Sequence, residues 1–329
     1  MDEHHHAVRV DFNRTDCRLL IICTHTGFVI YSTSPCKQIL RQLFDDDLGS
    51  VVCAEMKFRS NIIAMVREQD LRKITLWDAD KSTLVKDFEA TTRSPIVSLK
   101  YHHKHLIAIC TDGIEVHDFN ENVIKEKSTP NNPSGICAMC TDRRYSIMAY
   151  PGLEKGSVIV VNLFEDSNVK INAHDYDIAF IALNHCGSLL ATASGNGRLI
   201  KVFDASTGTK MYELRRGSTD AVITSICFSR DDSRLCCFSE NGTLHVWNLG
   251  EQRKSLVDAI VNYKSSDWKH NGIEGKAQCS FSPEDSSVVY VVSSLYKLTV
   301  LELGQAGMVR VVDTHDLIAN LNSSSKLNK

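Results

Sequence analysis

The sequence predicts an all-β protein, a seven-bladed β-propeller of the WD-repeat type, and three observations lead to this prediction. Seven segments share one pattern of three apolar strands separated by short polar turns, and they cover residues 12–31, 56–79, 97–119, 136–163, 180–204, 223–249 and 279–301. Equivalent positions in successive segments lie 39 to 46 residues apart, with 54 residues before the last segment. A period of ~40–45 residues with several strands per unit is typical of propeller blades. Trp77-Asp78 is the dipeptide after which such repeats are named, and Phe203-Asp204 and Trp247-Asn248 are close variants.

The individual elements follow from residue type. β-branched and aromatic residues fill the third strand of the segments, for example at 28–31, 74–77 and 199–203. Gly, Asn, Asp and Ser occupy the turns between strands, which is the pattern of successive hairpins. The connections are too short and too polar for the amphipathic helices of an α/β fold. We therefore expect one propeller domain over residues 7–319, with a long sixth-blade loop at 250–272 and a flexible C-terminal tail at 320–329.

Composition excludes several classes of function. The chain has 37 basic and 40 acidic residues, and this near balance argues against a nucleic-acid-binding protein. No apolar run approaches the ~18 residues of a membrane span, and the first residues do not form a signal peptide, so we expect a cytoplasmic protein whose membrane contact is peripheral. Cys137 and Cys140 have the spacing of a metal-binding pair, but no second pair follows, so we expect neither a metal nor a cofactor. Motifs of nucleophilic, phosphate-binding or zinc enzymes are absent, and we expect no catalysis.

Two features depart from the average repeat. The first is Leu214-Arg215-Arg216-Gly217, at the end of the fifth unit. Adjacent strand residues project to opposite sides, so each guanidinium can serve a separate anion, and its planar fork suits phosphate oxygens. Residues 198–216 carry five cationic and two acidic side chains. The alternative is a solvated basic pair with no specific ligand.

The second feature is the excess length of 250–272. It carries an apolar stripe at helical spacing (Leu256, Val257, Ile260 and Val261), together with the aromatic residues Tyr263 and Trp268 and several Lys and Arg residues. Apolar and aromatic residues among cations are suited to the surface of an anionic bilayer, so we expect this loop to insert into membranes. The alternatives are that the stripe packs on the propeller wall or that the loop is disordered.

These motifs resemble the PROPPIN family, the phosphoinositide-binding WD-repeat propellers. The resemblance covers essentially the whole chain and depends most on residues 214–217, in the form found in the Leu-Arg-Arg-Gly branch of the family. It implies two lipid headgroup pockets on the rim. The first would use His174, Thr192, Ser194, Gly197, Arg198, Lys201 and Arg215. The second would use Arg216, Gly217, Ser239, Thr243 and His245.

Two positions depart from the family pattern. Lys201 replaces an Arg, and Arg198 replaces a small hydroxyl residue, which favours the second pocket as the closer match. His174, Ser194 and His245 also have structural readings, as hydrogen-bonding groups of the blades.

The resemblance implies a peripheral membrane protein of autophagosome formation that binds phosphatidylinositol 3-phosphate and phosphatidylinositol 3,5-bisphosphate. It would act as a monomer at preautophagosomal and endosomal membranes. It would also bind an autophagic lipid-transfer protein near Asn13 and Asp16. The alternative is a WD-repeat protein-interaction scaffold without specific lipid recognition.

Overall fold

The structure of the protein is a computed structural model. It describes residues 7–13, 17–44, 50–85, 88, 90–102, 105–119, 123–250 and 263–318. The described residues up to Gly135 form one compact unit with three sheets, and those from Ile136 onward form a second with four sheets. We number the sheets 1 to 7 in chain order. Each is built on a meander of antiparallel strands, and the protein is a seven-bladed all-β propeller, as the repeat predicts. The expectation of a single domain over 7–319 stays a prediction.

The first unit contains thirteen strands in sheets 1 to 3. Sheet 1 consists of β1 (Ala7–Phe12), β2 (Leu19–Thr24), β3 (Gly27–Thr33) and β4 (Cys36–Leu43). Sheet 2 consists of β5 (Val51–Met56), β6 (Ile62–Arg67), β7 (Asp70–Asp78), β8 (Thr83–Leu84) and β9 (Ala90–Thr91), where β8 and β9 both pair with β7. Sheet 3 consists of β10 (Ile96–Tyr101), β11 (His105–Cys110), β12 (Gly113–Asp118) and β13 (Val123–Ser128).

The second unit contains seventeen strands in sheets 4 to 7. Sheet 4 consists of β14 (Ala138–Met139), β15 (Ile147–Pro151), β16 (Ser157–Asn162) and β17 (Ser167–Asn172). Sheet 5 consists of β18 (Ile178–Leu183), β19 (Leu189–Ser194), β20 (Leu199–Asp204), β21 (Lys210–Arg215) and β25 (Lys264–Ser265). Sheet 6 consists of β22 (Ile223–Phe228), β23 (Arg234–Ser239), β24 (Thr243–Asn248) and β26 (Trp268–Asn271). Sheet 7 consists of β27 (Ala277–Phe281), β28 (Val288–Ser293), β29 (Lys297–Leu303) and β30 (Val309–Asp316).

Helix is almost absent from the part of the chain that the structure describes. It contains one 3₁₀ turn, at Gln305–Gly307. None of its helices has the length and hydropathy that crossing a bilayer requires.

The cores lie between neighbouring sheets within each unit. In the second unit, one cluster joins Val202 and Leu214 of sheet 5 to Phe228 and Trp247 of sheet 6. The middle strands are buried on both faces, which explains their near-continuous apolar sequence.

The aspartate of a WD-type dipeptide forms the turn after its strand. The carboxylate of Asp204 accepts hydrogen bonds from the backbone N–H groups of Ser206 and Thr207, at 2.9 and 2.8 Å. Trp247 is fully buried and donates its indole N–H to the carbonyl oxygen of Lys264. These residues hold strand ends in place, so the repeat signature is structural.

Candidate anion-binding site

The Arg pair lies where β21 leaves sheet 5. Arg215 is the last residue of β21 and is half-buried, whereas the next residue, Arg216, is only 9% exposed. The two side chains have different surroundings. Arg215 lines a surface cavity, and Arg216 is bonded within the protein.

The cavity has a volume of about 350 Å³ and is lined mostly by polar and charged residues. Five members of the first residue set that the resemblance implies line it, together with Gly217 of the second. The lining residues are His174, Asp175, Tyr176, Ser194, Asn196, Arg198, Leu199, Lys201, Arg215, Gly217, Ser218 and Tyr263.

Thr192 and Gly197 support the cavity from behind its lining. The Oγ1 atom of Thr192 is fully buried and lies 2.9 Å from Nε2 of His174. Gly197 has φ +57°, and a Cβ atom there would lie 1.9 Å from the carbonyl oxygen of Ala221, so this position requires glycine. Its own carbonyl accepts a hydrogen bond from Nε of Arg216 at 3.0 Å.

The three cations of the cavity are held in different ways. Lys201 donates from Nζ to the carbonyl oxygen of Ala173 at 2.8 Å. Arg198 donates from Nε to Asp220 at 2.6 Å, in a pair whose side chains are both more than half exposed. Such surface pairs contribute little free energy, so an anion in the cavity can compete for Arg198.

Arg215 is the most available of these cations. Its guanidinium carbon lies 4.6 Å from the centroid of the Tyr263 ring. Within the described part of the chain, its side chain has no hydrogen bond or ion pair. A cation on an aromatic face keeps its N–H donors free for a ligand.

The cavity is positively charged at neutral pH. Burial, reinforced by the charge of Lys201, lowers the pKa of His174 to about 4, so its imidazole is neutral. The permanent charges of the lining are then three cations against the carboxylate of Asp175. Such a cavity suits a small anion that carries several phosphate oxygens.

The second residue set lies on sheet 6, beside Arg216. Arg216 donates to the carbonyl oxygens of Gly197 and Thr219, and burial lowers the pKa of its guanidinium. The buried Ser239 hydroxyl lies 3.5 Å from the Thr243 carbonyl oxygen, and Thr243 donates from Oγ1 to Asn271 Oδ1 at 3.0 Å. These polar groups are therefore engaged within the protein, in contrast to Arg215.

His245 belongs to the same set and is 4% exposed. Its Nδ1 atom lies 3.2 Å from the Ser266 hydroxyl, and its ring stacks on that of Trp247. Burial is the main cause that lowers the pKa of His245 to about 4, and the charges of Lys269 and Arg216 add to it. His245 is thus neutral at physiological pH.

The last part of the expected loop at 250–272 forms two short β-strands. We define residues 263–271 as the crossing segment, because its first part, β25, pairs in parallel with β21, and its last part, β26, pairs with β24. The crossing segment thus joins sheets 5 and 6. Leu256, Val257, Ile260 and Val261 lie outside the described residues.

Trp268, which the sequence suggests for membrane insertion, has contacts within the protein. It opens β26, packs against the core between sheets 6 and 7, and donates its indole N–H to the Gly304 carbonyl oxygen at 2.7 Å. The guanidinium of Arg234 lies 5.0 Å from its ring. Trp268 is therefore part of the packing between sheets 6 and 7.

The expected partner contact near the first sheet is only partly described. Asn13 is buried and donates from Nδ2 to the carbonyl oxygen of Phe58 at 2.6 Å. Asp16 lies outside the described residues. Among the described residues, no group of three or more His, Cys, Asp and Glu side chains is placed to hold a metal ion.

Sequence reasoning missed Tyr176, and it singled out Tyr263 as an aromatic residue of the long loop without placing it in the cavity. Tyr176 follows His174 closely in the chain, and this position could have been used to predict that it lies at the cavity. Tyr263 reaches the cavity only through the parallel pairing of β25 with β21, for which the sequence contains no local pattern.

Comparisons with known proteins identify the family to which this chain is similar. A family model described as PROPPIN matches residues 8–270. Autophagy-related protein 18 of Schizosaccharomyces pombe is 31% identical over 267 residues, which are 74% of this chain and 70% of the relative. Autophagy-related protein 18e of Arabidopsis thaliana is 34% identical over 240 residues, which are 71% of this chain and 63% of the relative. WD repeat domain phosphoinositide-interacting protein 1 of Homo sapiens is 30% identical over 252 residues, which are 74% of this chain and 55% of the relative.

Solved structures show the same fold. Kluyveromyces lactis Hsv2 with its complete loop 6CD has a TM-score of 0.81 at 22% identity, over 94% of this chain and 99% of that one. KlAtg21, in a complex with the coiled-coil of AgAtg16, has a TM-score of 0.78 at 19% identity, over 94% of this chain and 99% of that one.

Proposed function

The chain belongs to the PROPPIN family, and from this premise we propose that it is a peripheral membrane effector of autophagosome formation. It binds phosphatidylinositol 3-phosphate and phosphatidylinositol 3,5-bisphosphate and recruits partner proteins, and it catalyses no reaction. The observation that carries the proposal is the cavity in which Arg198, Lys201 and Arg215 converge beside a neutral His174.

The first headgroup pocket is this cavity. Arg215 supplies a guanidinium that has no protein acceptor among the described residues, and Arg198 exchanges Asp220 for a phosphate oxygen. The Ser194 hydroxyl, which lies 3.0 Å from Asn196 Oδ1, and the Asn196 amide are suited to inositol hydroxyl groups. Bidentate contacts to phosphate favour the two arginines over a lysine.

The second pocket is formed by Arg216, Gly217, Ser239, Thr243 and His245. Apart from Gly217 and its two chain neighbours, no heavy atom of the described residues lies within 4 Å of a Cβ built on Gly217, so a ligand can approach this backbone closely. Arg216 is hydrogen-bonded to two backbone carbonyl groups. This supports a role in which its positive charge attracts the anion while its hydrogen bonds hold the backbone around the pocket. Two pockets on neighbouring sheets make membrane binding multivalent.

Recruitment to preautophagosomal and endosomal membranes follows from this lipid preference. We propose that the apolar stripe of Leu256, Val257, Ile260 and Val261 inserts beside the pockets. We further propose that the monomeric propeller recruits an autophagic lipid-transfer protein through the region of Asn13 and Asp16. The KlAtg21 complex with a coiled-coil supports protein recruitment as a second activity of this fold.

The decisive experiment is vesicle flotation. It compares neutral vesicles, vesicles with phosphatidylserine and vesicles with phosphatidylinositol 3-phosphate, for the unmodified protein and for Arg215→Ala/Arg216→Ala. We expect flotation only with the phosphoinositide and its loss in the folded double variant. Flotation that follows total negative charge, or that survives in the double variant, would support the scaffold reading instead.

A further inference from the structure

An exposed leucine lies in a turn that is hydrogen-bonded to the segment lining one side of the cavity. Leu153, in the turn between β15 and β16 of sheet 4, is 72% exposed, more than any other large hydrophobic side chain in the described part of the chain. The turn is well ordered by its own hydrogen bonds. Gly152 N–H donates to the Ser157 carbonyl at 2.9 Å, and the N–H and hydroxyl of Ser157 donate to the Glu154 carbonyl at 3.0 and 2.6 Å.

This turn is fastened to the connection that forms one wall of the cavity. The Gly156 carbonyl accepts hydrogen bonds from the backbone N–H groups of Ala173 and His174, both at 3.0 Å. Gly156 has φ +68°, and a Cβ atom there would lie 1.7 Å from the carbonyl oxygen of His174. Only glycine permits this approach, so the turn and the connection are held as one piece.

The same connection carries an exposed aromatic side chain. Tyr176 lines the cavity and is 54% exposed, and the Lys155 ammonium lies 5.4 Å from the centre of its ring. We call Leu153 and Tyr176 together the apolar rim. Its members come from two separate segments, which the hydrogen bonds from Ala173 and His174 to the Gly156 carbonyl oxygen join.

The charges around the apolar rim favour an anionic lipid surface as its occupant. Lys155 lies between Leu153 and Tyr176 in the chain. The three cations of the cavity line the same surface as Tyr176. Glu154 is neutralised by its ion pair with Lys170, which leaves Asp175 and Asp177 as the neighbouring carboxylates. Tyrosine, leucine and lysine are side chains that suit the boundary between headgroups and acyl chains.

We propose that the apolar rim is a lipid-contact surface, and that Leu153 and Tyr176 enter the bilayer interface when the cavity holds a lipid headgroup. This inference depends on the proposed function, because the cavity sets the orientation. It adds an anchor on sheet 4 that is independent of residues 251–262. Insertion of two side chains adds to headgroup affinity without new polar contacts.

The test distinguishes contact with the bilayer from binding of the headgroup. Leu153→Ser is measured against phosphatidylcholine vesicles that contain phosphatidylinositol 3-phosphate, and against soluble inositol 1,3-bisphosphate. We expect vesicle affinity to fall about tenfold, the effect of one leucine side chain returned to water, with the affinity for the soluble headgroup unchanged. Phe164→Ser is the matched control, since Phe164 is 49% exposed in the same sheet, in the turn at the other end of β16. It should bind vesicles like the unmodified protein.

A second variant reports on insertion directly. Tyr176→Trp should gain a fluorescence component that brominated acyl chains quench, relative to the unmodified protein. Absence of this quenching, or unchanged vesicle binding by Leu153→Ser, would overturn the inference while leaving the proposed function intact. Loss of soluble headgroup affinity in Leu153→Ser would also overturn it, because the leucine would then act through the cavity. If the unmodified protein binds neither probe, the proposed function itself fails.

Discussion

The guanidinium carbon of Arg215 lies 4.6 Å from the centre of the Tyr263 ring. This contact joins the last residue of β21 to the first described residue after position 250, so the end of the long loop forms part of the cavity. A ligand held by Arg215 therefore meets a group that belongs to the crossing segment.

Arg215→Ala should weaken binding of inositol 1,3-bisphosphate by about 10- to 100-fold, because a charge-assisted hydrogen bond is worth roughly 1.5–3 kcal/mol. The midpoint of urea unfolding should not change, since the Arg215 side chain has no ion pair within the described residues. Calorimetric titration measures the affinity. Arg310→Ala, an exposed arginine paired with Glu302, is the control and should bind normally.

Arg216→Ala should instead lower stability by about 1–3 kcal/mol, since the carbonyl group of the buried Gly197 loses its charged donor and the exposed Thr219 carbonyl loses the same partner. Urea denaturation followed by fluorescence measures the loss. Arg216→Lys should recover little of it, because one ammonium lacks the fork that reaches Gly197 and Thr219 together. A normal unfolding midpoint in Arg216→Ala would contradict the anchoring role.

Tyr263→Phe should retain headgroup affinity, whereas Tyr263→Ala should reduce it about three- to fivefold, the value of an exposed cation–π contact of ~0.5–1 kcal/mol. The ring orients Arg215, and the hydroxyl is not needed for this. The same titration measures both variants. Equal affinities in Phe and Ala variants would show that the contact does not position the guanidinium.

Stability should fall as the pH drops from about 6.5 to 4. The pKa values of His174 and His245 are lowered to about 4 in the fold, so the unfolded chain takes up protons first. The free energy of unfolding therefore rises with pH through this window, by up to about 3 kcal/mol for the buried His245. His245→Gln should flatten the profile of urea midpoint against pH, and an unchanged slope would contradict the assignment.

Trp268→Ala should destabilise the protein by about 3 kcal/mol, since the indole packs between sheets 6 and 7 and bonds to Gly304. Trp268→Phe should recover most of the packing but not the hydrogen bond. In the unmodified protein, brominated acyl chains should fail to quench Trp268 fluorescence. Quenching that Trp268→Phe abolishes would restore the membrane role.

The fold could be predicted because the blade repeat is a local pattern. Each third strand carries its own β-branched run and its own turn, as Val202 and Asp204 illustrate. The cavity could be predicted in part, since Arg198, Lys201 and Arg215 lie on adjacent strands β20 and β21 or at their ends. Tyr263 could not, because its position depends on a parallel pairing that spans residues 214 and 264.

Trp268 illustrates a second limit of prediction from the sequence. An aromatic residue among lysines has the same sequence pattern whether it faces lipid or packs on a neighbouring sheet. Only the pairing of Trp268 with Val246 on β24 distinguishes the two. Tertiary context therefore decides the role of such a residue.

The crossing segment allows the chain before it to change in length without a change in the sheets. Trp247 and Asn248 bond to Lys264 and Asp267, so the chain on both sides of residues 251–262 is tied to the same few positions of sheets 5 and 6. Insertions or deletions between these ties leave the register of either sheet unchanged. Natural variation can therefore change the length of the chain at residues 251–262 while the cavity keeps its geometry, and an engineered tag can be placed there on the same grounds.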